Sequence, residues 1–423
     1  MACNALQHVL SSALNCCAMA RKINLSDIFM DSDYTNEQIK DKFADIAPYD
    51  DSQFADKMEA LVAEPGFKHA VTYSMPDVDY DKFVEKLLSL KNVHEFQTKA
   101  MAPFLCDIEK KTTAGITASG IENIDADKSY TYISNHRDIV LDASFMDLSL
   151  LRADRPLAQV AIGNNLLIYN WISDLVRLNG SFIVKRDVKR LDALKAAQHL
   201  SEYIHYAVAR NSKSVWIAQR EGRAKDSNDR TQESLIKMLS IGGDGTPLNN
   251  LLEINLLPVS ISYEFDPNDY LKVREYLWRR RNPDFKKSQH DDLLSMETGL
   301  LGYKGRVHFS FGKCINQELS GFANGTDRSA SAQEACGIID RTIHGNYKFF
   351  TCNYIAYDRL EGGHHFCHKY NEAEVARFAE YIDRQLAKVG EPDITPDEHR
   401  FMLEKMLEMY ANPVRNYLAV ASN

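Results

Sequence analysis

Hydrophobic positions divide the chain into three textures. Up to about residue 120 they recur at helical spacing: Ile39, Phe43 and Ile46, then Phe54, Met58 and Leu61, then Phe83, Val84, Leu87, Leu88 and Leu90. A recurrence every three or four residues predicts helices with one buried face, short ones in 27–59 and longer ones in 80–112. From 121 the apolar residues bunch into short β-branched runs: TYIS (131–134), AQVAIG (158–163), SFIVK (181–185), SVWIAQ (214–219), INLLPVSISYE (254–264) and VHFSFG (307–312). Helical stretches at 143–153, 164–178, 188–210, 231–240 and 267–281 separate them. Strands alternating with helices predict an α/β fold, with a central, mostly parallel or mixed sheet flanked by helices. From about 330 the helical pattern returns, with breaks at Gly345, Gly362–Gly363 and Gly390 to Pro392. The organisation read is a helical N-terminal addition (1–120), an α/β domain (121–330) and a helical C-terminal addition (331–423).

Composition narrows the function classes. With 423 residues the chain can bury a sizeable core without disulfide or metal staples. Its net charge of −9 argues against a general nucleic-acid binder. Much of the acidity sits in 27–59, where ten Asp and Glu face three Lys on what reads as a solvated helix surface. None of the eight cysteines forms a CxxC pair, and reduced thiols in a cytosolic protein are the expectation. Without a run of 18 apolar residues, no transmembrane helix is expected. The N-terminus, MACNALQHVLSSALNCCAMARK, lacks a basic n-region and is interrupted by Gln7, His8, Ser11, Ser12 and Asn15. It reads as a helix of the mature protein rather than a signal peptide. Adjacent Cys16 and Cys17 are the residues a palmitoylation near a membrane would use.

Four constellations carry candidate chemistry. In NHRDIVLD (Asn135 to Asp142), His136 stands where a strand runs into a helix, with Asp138 and Asp142 two and six positions on. A histidine beside a carboxylate is a minimal general base, because the carboxylate fixes the tautomer and stabilises the imidazolium. The same residues also fit a satisfied histidine at a helix start, with Asp138 as a first-turn charge. In NGSFIVKRDVKR, Gly180 precedes a strand ending in Lys185 and Arg186, cations placed to hold an anion at a sheet edge. In VWIAQREGRAKD a strand runs into a turn bearing Arg220, Glu221, Gly222, Arg223 and Lys225. Residues 185–230 hold eleven Lys and Arg against six Asp and Glu, a local excess in an acidic protein. In LLPVSISYE, Pro258 interrupts an apolar strand that ends in Tyr263 and Glu264, and these line a pocket or belong to a core strand.

In this order and spacing the four blocks resemble the glycerolipid acyltransferase superfamily. The pattern is nearest that of bacterial glycerol-3-phosphate acyltransferases; the lysophosphatidic acid acyltransferases are further away. His136, Arg137 and Asp142 stand for the family's first block and Gly180 to Arg186 for the second. Glu221 to Arg223 stand for the third and Pro258 to Glu264 for the fourth. Two departures mark a divergent member. Five residues separate His136 from Asp142 where the family has four, so either Asp142 or Asp138 orients the ring. In the third block Arg223 follows Gly222 directly, which weakens the carry-over to Glu221.

The resemblance implies transfer of a fatty acyl group from acyl-CoA or acyl carrier protein to the hydroxyl of glycerol 3-phosphate or a lysophospholipid, in membrane lipid biosynthesis. It implies His136 as the base, with Asp142 or Asp138 beside it. Lys185, Arg186, Arg220, Glu221, Gly222, Arg223 and Lys225 would form the acceptor site, with Gly180, Pro258 and Tyr263 in the pocket. No metal and no cofactor beyond the thioester co-substrate are implied, nor any nucleic-acid partner. A bacterial protein in the cytoplasm, peripherally bound to the inner face of the membrane, is expected. Two stretches suit such a surface: 164–178, with Leu166, Leu167, Ile168, Trp171, Ile172, Leu175 and Val176, and 270–287, which mixes aromatics with seven Lys and Arg. Alternatives are a lyso-aminolipid acceptor, or a lipid-binding protein that kept the fold and lost catalysis. GHHFCHKY (Gly363 to Tyr370) has zinc-ligand residue types but no distant second pair, and reads as a loop or helix start.

Overall fold

The longest apolar run becomes the strand on which the site is built. In the computed structural model, which describes residues 36–186 and 190–422, Leu256–Tyr263 is buried at every position and pairs on both sides. The strands are β1 (Ile116–Ser119), β2 (Thr131–Ser134), β3 (Gln159–Gly163), β4 (Ser181–Val184), β5 (Val215–Ala218), β6 (Leu256–Tyr263) and β7 (Val307–Phe311). They form one sheet in the order β1-β7-β6-β2-β5-β3-β4. Every neighbouring pair is parallel except β6 and β7, so the sheet is mixed and mostly parallel. β1 was not expected. Its four residues are mostly exposed and carry no apolar alternation, and only pairing with β7 makes them a strand.

Pro258 is tolerated inside this sheet for a geometric reason. Even-numbered residues of β6 turn their backbone groups towards β7, as the Gly312 N–H donated to the Pro258 carbonyl shows. The β6–β7 register stops at Val259 opposite Phe311, so the N–H that proline lacks has no ladder partner to lose. The position expected to line a pocket is therefore a buried sheet position.

Residues up to Asp45 form a unit of their own, whose described part holds helix α1 (Asn36–Phe43); the chain from Ile46 onward is a second unit. The helix read at 1–22, with Cys16 and Cys17, lies outside the described residues. In the second unit α2 (Phe54–Ala63), α3 (Pro65–Ser74) and α4 (Tyr80–Leu88) share a cluster of Phe54, Met58, Leu61, Phe67, Val71 and Leu87. Helix α5 (Ala102–Thr112) and helix α6 (Leu141–Arg152) cover one face of the sheet, burying Leu105, Ile108, Phe145 and Met146 against Tyr132, Val259 and Phe309. Helix α7 (Asn170–Leu178) precedes β4, and α8 (Arg190–His205) follows it.

The C-terminal helices build a further hydrophobic cluster. Helix α9 (Asp269–Arg281), followed by α10 (Gln289–Leu301), joins α11 (Arg328–Gly345), α12 (Thr351–Glu361), α13 (Glu372–Ala387) and α14 (Pro396–Ala421). Val273 and Leu277 of α9 bury against Phe378, Ile382, Met402 and Met406. The capping box of α14, Thr395 with Glu398, satisfies donors at its first turn. The α9 arginines expected to meet anionic headgroups are paired within the fold: Arg279 with Glu275, Arg280 with Asp397 and Arg281 with Glu398. Lys272 pairs with Asp266 and Lys287 with Asp292. These pairs tie five of the seven cations of 270–287 to acidic partners within the fold.

Candidate active site

His136 owes its position to Asn135. The Asn135 side-chain amide donates to the Ile261 carbonyl at 2.9 Å and accepts from the Ile261 N–H at 2.8 Å, which continues the β2–β6 pairing by one residue. The backbone then leaves the sheet and carries His136 clear of it. Trp216, on the neighbouring β5, meets the imidazole edge-on at 5.7 Å. Its indole N–H is tied to Ser134 Oγ at 3.0 Å, so the wall beside the ring is fixed.

The two carboxylates take different roles. Asp142, in the first turn of α6, holds His136 Nδ1 at 2.8 Å with Oδ2. The same oxygen accepts the backbone N–H groups of Arg137 at 2.6 Å and Asp138 at 3.0 Å. Asp138 does not touch the ring. Its Oδ1 accepts from Val140 at 2.9 Å and Leu141 at 2.8 Å and shapes the turn that leads into α6. The five-residue spacing between His136 and Asp142 still closes a His–Asp contact. Both carboxylates are almost fully buried. Burial first, and then the charge of Asp142, push the Asp138 carboxyl above its ordinary range. With Nδ1 committed, Nε2 is the ring nitrogen left to the space in front of it.

That space is a cavity of about 1790 Å³. His136 lines it together with Lys185 and Arg186 beyond β4, and with Arg220, Glu221, Gly222, Arg223 and Lys225 beyond β5. β2, β5, β3 and β4 run parallel, so the segments after them emerge at one edge of the sheet, where α/β proteins bind ligands. Gly222 turns the chain with φ +68°, a conformation that suits glycine.

The cations are not equivalent. Lys225 is paired with Glu275, which also accepts from Arg279. Arg186 lies 3.8 Å from the exposed Glu221 carboxylate. Arg220 and Arg223 form no ion pair, and Arg223 Nη1 is buried without a hydrogen-bond partner among the described residues. A guanidinium N–H buried without an acceptor is costly unless a ligand supplies one.

The residues expected beside the pocket stand elsewhere. Pro258 is inside the sheet, as described. Gly180 is in the turn before β4, at the strand end opposite Lys185, and answers to a φ of +83° rather than to a ligand. Tyr263 is buried at the end of β6. Burial, and then the charges of Asp142 and Asp138, raise its phenol well above the ordinary value.

Asn268 is among the cavity residues that the sequence reading did not single out, and Lys272 and Arg274, read there as part of a membrane-facing stretch, border the cavity too. Asn268 is fully buried, and neither end of its amide has a partner among the described residues. It lies some 130 residues from His136 in an Asx-Pro turn context that carries no chemical signal of its own. Gly299 of α10 also matters, because a Cβ there would overlap Asp138 Oδ2. Gly299→Ala gains helix propensity, but it must displace the cap of the histidine turn. The expected net result is a loss of about 1–3 kcal/mol in urea unfolding together with reduced turnover.

The remaining walls are apolar. Phe67, Phe83, Met101, Leu166, Trp171 and Leu175 are among those that border the cavity. Segment 164–178, expected to touch a bilayer, breaks into a 3-10 turn (Asn164–Leu166) and α7. It turns Trp171, Ile172, Leu175 and Val176 towards the cavity, because α7 packs on α2 and α3, with Trp171 edge-on to Phe67 at 6.2 Å. The GHHFCHKY segment is a loop and a 3-10 turn (Cys367–Lys369), held by Asp358 through Phe366 N–H and the Tyr370 hydroxyl. Among the described residues, no three His, Cys, Asp or Glu side chains gather as a metal site. No described helix is long and apolar enough to cross a membrane.

Comparison with known proteins bears on the same region. No curated protein matches the chain. Among solved structures it is similar to the 1-acyl-sn-glycerophosphate (LPA) acyltransferase PlsC from Thermotoga maritima, at 14% identity over 68% of this chain and 92% of that one, with a TM-score of 0.32. The family described as Acyltransferase matches residues 115–239, a span that takes in β1 to β5, the His136 turn and the arginine-bearing turn and leaves out the fourth block. Residues 115–239, which carry His136, Asp142 and both basic turns, thus match an acyltransferase domain.

Proposed function

We propose that the protein is an O-acyltransferase that moves a fatty acyl group from acyl-CoA or acyl carrier protein to the hydroxyl of glycerol 3-phosphate or a lysophospholipid. The observation that carries this reading is His136, with Nδ1 held by buried Asp142 and its face on a cavity both basic and apolar. His136 Nε2 takes the acceptor's hydroxyl proton as the oxygen attacks the thioester carbonyl. The tetrahedral intermediate collapses to the ester and the thiolate leaves. The imidazolium then returns its proton to the thiolate, so no covalent acyl-enzyme is needed. Arg223, with Arg220, holds the acceptor's phosphate beside the base. The apolar walls take the acyl chain. The contact between Asp142 and the ring supports the catalytic reading over a lipid-binding protein that has lost its chemistry.

The product is a membrane lipid, and we place the enzyme at the inner membrane surface. Tyr73, Tyr169 and Leu301 support this: they border the cavity and remain exposed, an aromatic and aliphatic rim of the kind that enters an interface. Purified protein, assayed with hexadecanoyl-CoA and hexadecanoyl-acyl carrier protein against glycerol 3-phosphate, a lysophospholipid and a lyso-aminolipid, tests the reading. Turnover with a phosphorylated acceptor is expected, and its absence with every acceptor overturns the proposal. Arg223→Ala is expected to raise the acceptor KM at least about tenfold while kcat changes less, as loss of ground-state binding requires.

A further inference from the structure

One wall of the cavity carries a group that its surroundings do not explain. Val140, Ala143, Ser144, Asp147, Leu148 and Leu151 border the cavity, a three-to-four-residue recurrence that makes one stripe along α6. Asp147 stands in the middle of that stripe. Phe104, Leu157 and Val160 border the cavity as well, and with Leu151 they pack on the apolar core beneath. Asp147 Oδ1 accepts the Ala158 N–H at 3.0 Å. Oδ2 meets no donor, and no cation pairs with the carboxyl, among the described residues. Nearby Ser144 is spent, because its hydroxyl donates to the Val140 carbonyl at 2.9 Å. Burial pushes the Asp147 carboxyl up to about 7. The side chain keeps part of its surface exposed on the cavity it borders, so Oδ2 is open to whatever fills that space.

We propose that Asp147 is a specificity-determining residue that receives a hydroxyl carried part-way along the substrate's acyl chain. This deepens the reading above and rests on it. The placement sets the position of that hydroxyl. Asp142 touches the histidine, and Asp147 is five residues further along the same helix, so roughly 7–8 Å of axis separates them. An acyl carbonyl held at His136 with its chain along the stripe brings the middle of the chain, not its first carbons, to Asp147. A plain chain leaves Oδ2 facing methylenes, whereas a hydroxylated chain donates to it. A site built around a polar contact discriminates strongly against the analogue that lacks the group.

The test uses the full-length protein and free fatty acids, so it needs no turnover. Binding of hexadecanoate and of a positional series of monohydroxyhexadecanoates is measured by titration calorimetry for the wild type, Asp147→Leu and Asp147→Asn. A mid-chain isomer is expected to bind the wild type about tenfold or more tighter than hexadecanoate. Asp147→Leu is expected to lose that preference and bind hexadecanoate more tightly, and Asp147→Asn, which still offers an oxygen acceptor, to keep part of it. Equal binding of all isomers by the wild type overturns the inference whether or not the variants fold, and so does a preference that survives in a folded Asp147→Leu. Failure of any fatty acid to bind removes the acyl-chain cavity itself, and the thioester assay above then decides the proposed function separately. If a preference is found, pairing hydroxylated thioester with plain lysolipid, and the reverse, shows which substrate's chain lies on the stripe.

Discussion

His136→Ala is expected to lower kcat by about 10²–10⁴-fold with either thioester, while the acceptor KM moves little. The imidazole is the group placed to remove the hydroxyl proton, and nothing else near it is equipped for the task. Asp142 Oδ2 is spent on the ring and two backbone N–H groups, and Asp138 is turned away into its cap. Because the ring borders a cavity rather than filling a core, its removal should leave the unfolding midpoint nearly unchanged. That separates a chemical loss from a structural one. Asp142→Asn should share much of the rate loss, since an amide can present its N–H to Nδ1 and select the wrong tautomer. Steady-state rates with pre-measured substrate saturation check both variants. A His136→Ala enzyme within a few-fold of the wild type would falsify the assignment.

The largest effect on stability is expected one residue further on. Arg137 follows the histidine, yet it points into the protein and makes a bidentate pair with Asp229, at 2.9 and 2.6 Å. Asp229 also accepts from the Tyr347 hydroxyl at 2.5 Å, and its carbonyl meets His344 Nε2 at 2.7 Å. Arg137 and Asp229 are both buried. Asp229→Ala strands a guanidinium away from water, and breaking a buried pair on one side costs about 3–5 kcal/mol. Replacing both partners, Arg137→Met with Asp229→Leu, removes the uncompensated charge and should recover most of that loss. Urea unfolding of the two variants beside the wild type checks the difference. The pair fixes the His136 turn to the loop after β5, which His344 of α11 holds through the Asp229 carbonyl, so the single variant should lose activity along with stability.

Much of this was legible along the chain because it is local. The strands from β2 to β7 announced themselves by β-branched composition, and the histidine turn by its place between strand and helix. The arginine turn after β5 was legible for the same reason, as a charge cluster following an apolar run. β1 was not, because four polar and small residues become a strand only through β7. The helical character of 164–178 was legible, but not its break into a 3-10 turn and α7, nor the partner of that helix. An amphipathic segment with a tryptophan fits a bilayer and a cavity wall equally well until the helices against it are known. Arg280 and Arg281 read as part of an open basic face because their acidic partners, Asp397 and Glu398, lie more than a hundred residues away.

The amino-acid order alone determined that an α/β core would present a histidine and two basic turns after parallel strands, since each depends on neighbours a few positions apart. Tertiary structure alone decided which carboxylate meets the imidazole and which cations stand without an ion pair. It also decided that Asn268 and Asp147 face the same cavity as His136. Those outcomes depend on distances between segments far apart in the chain, where burial removes water and makes the choice of partner the dominant energy.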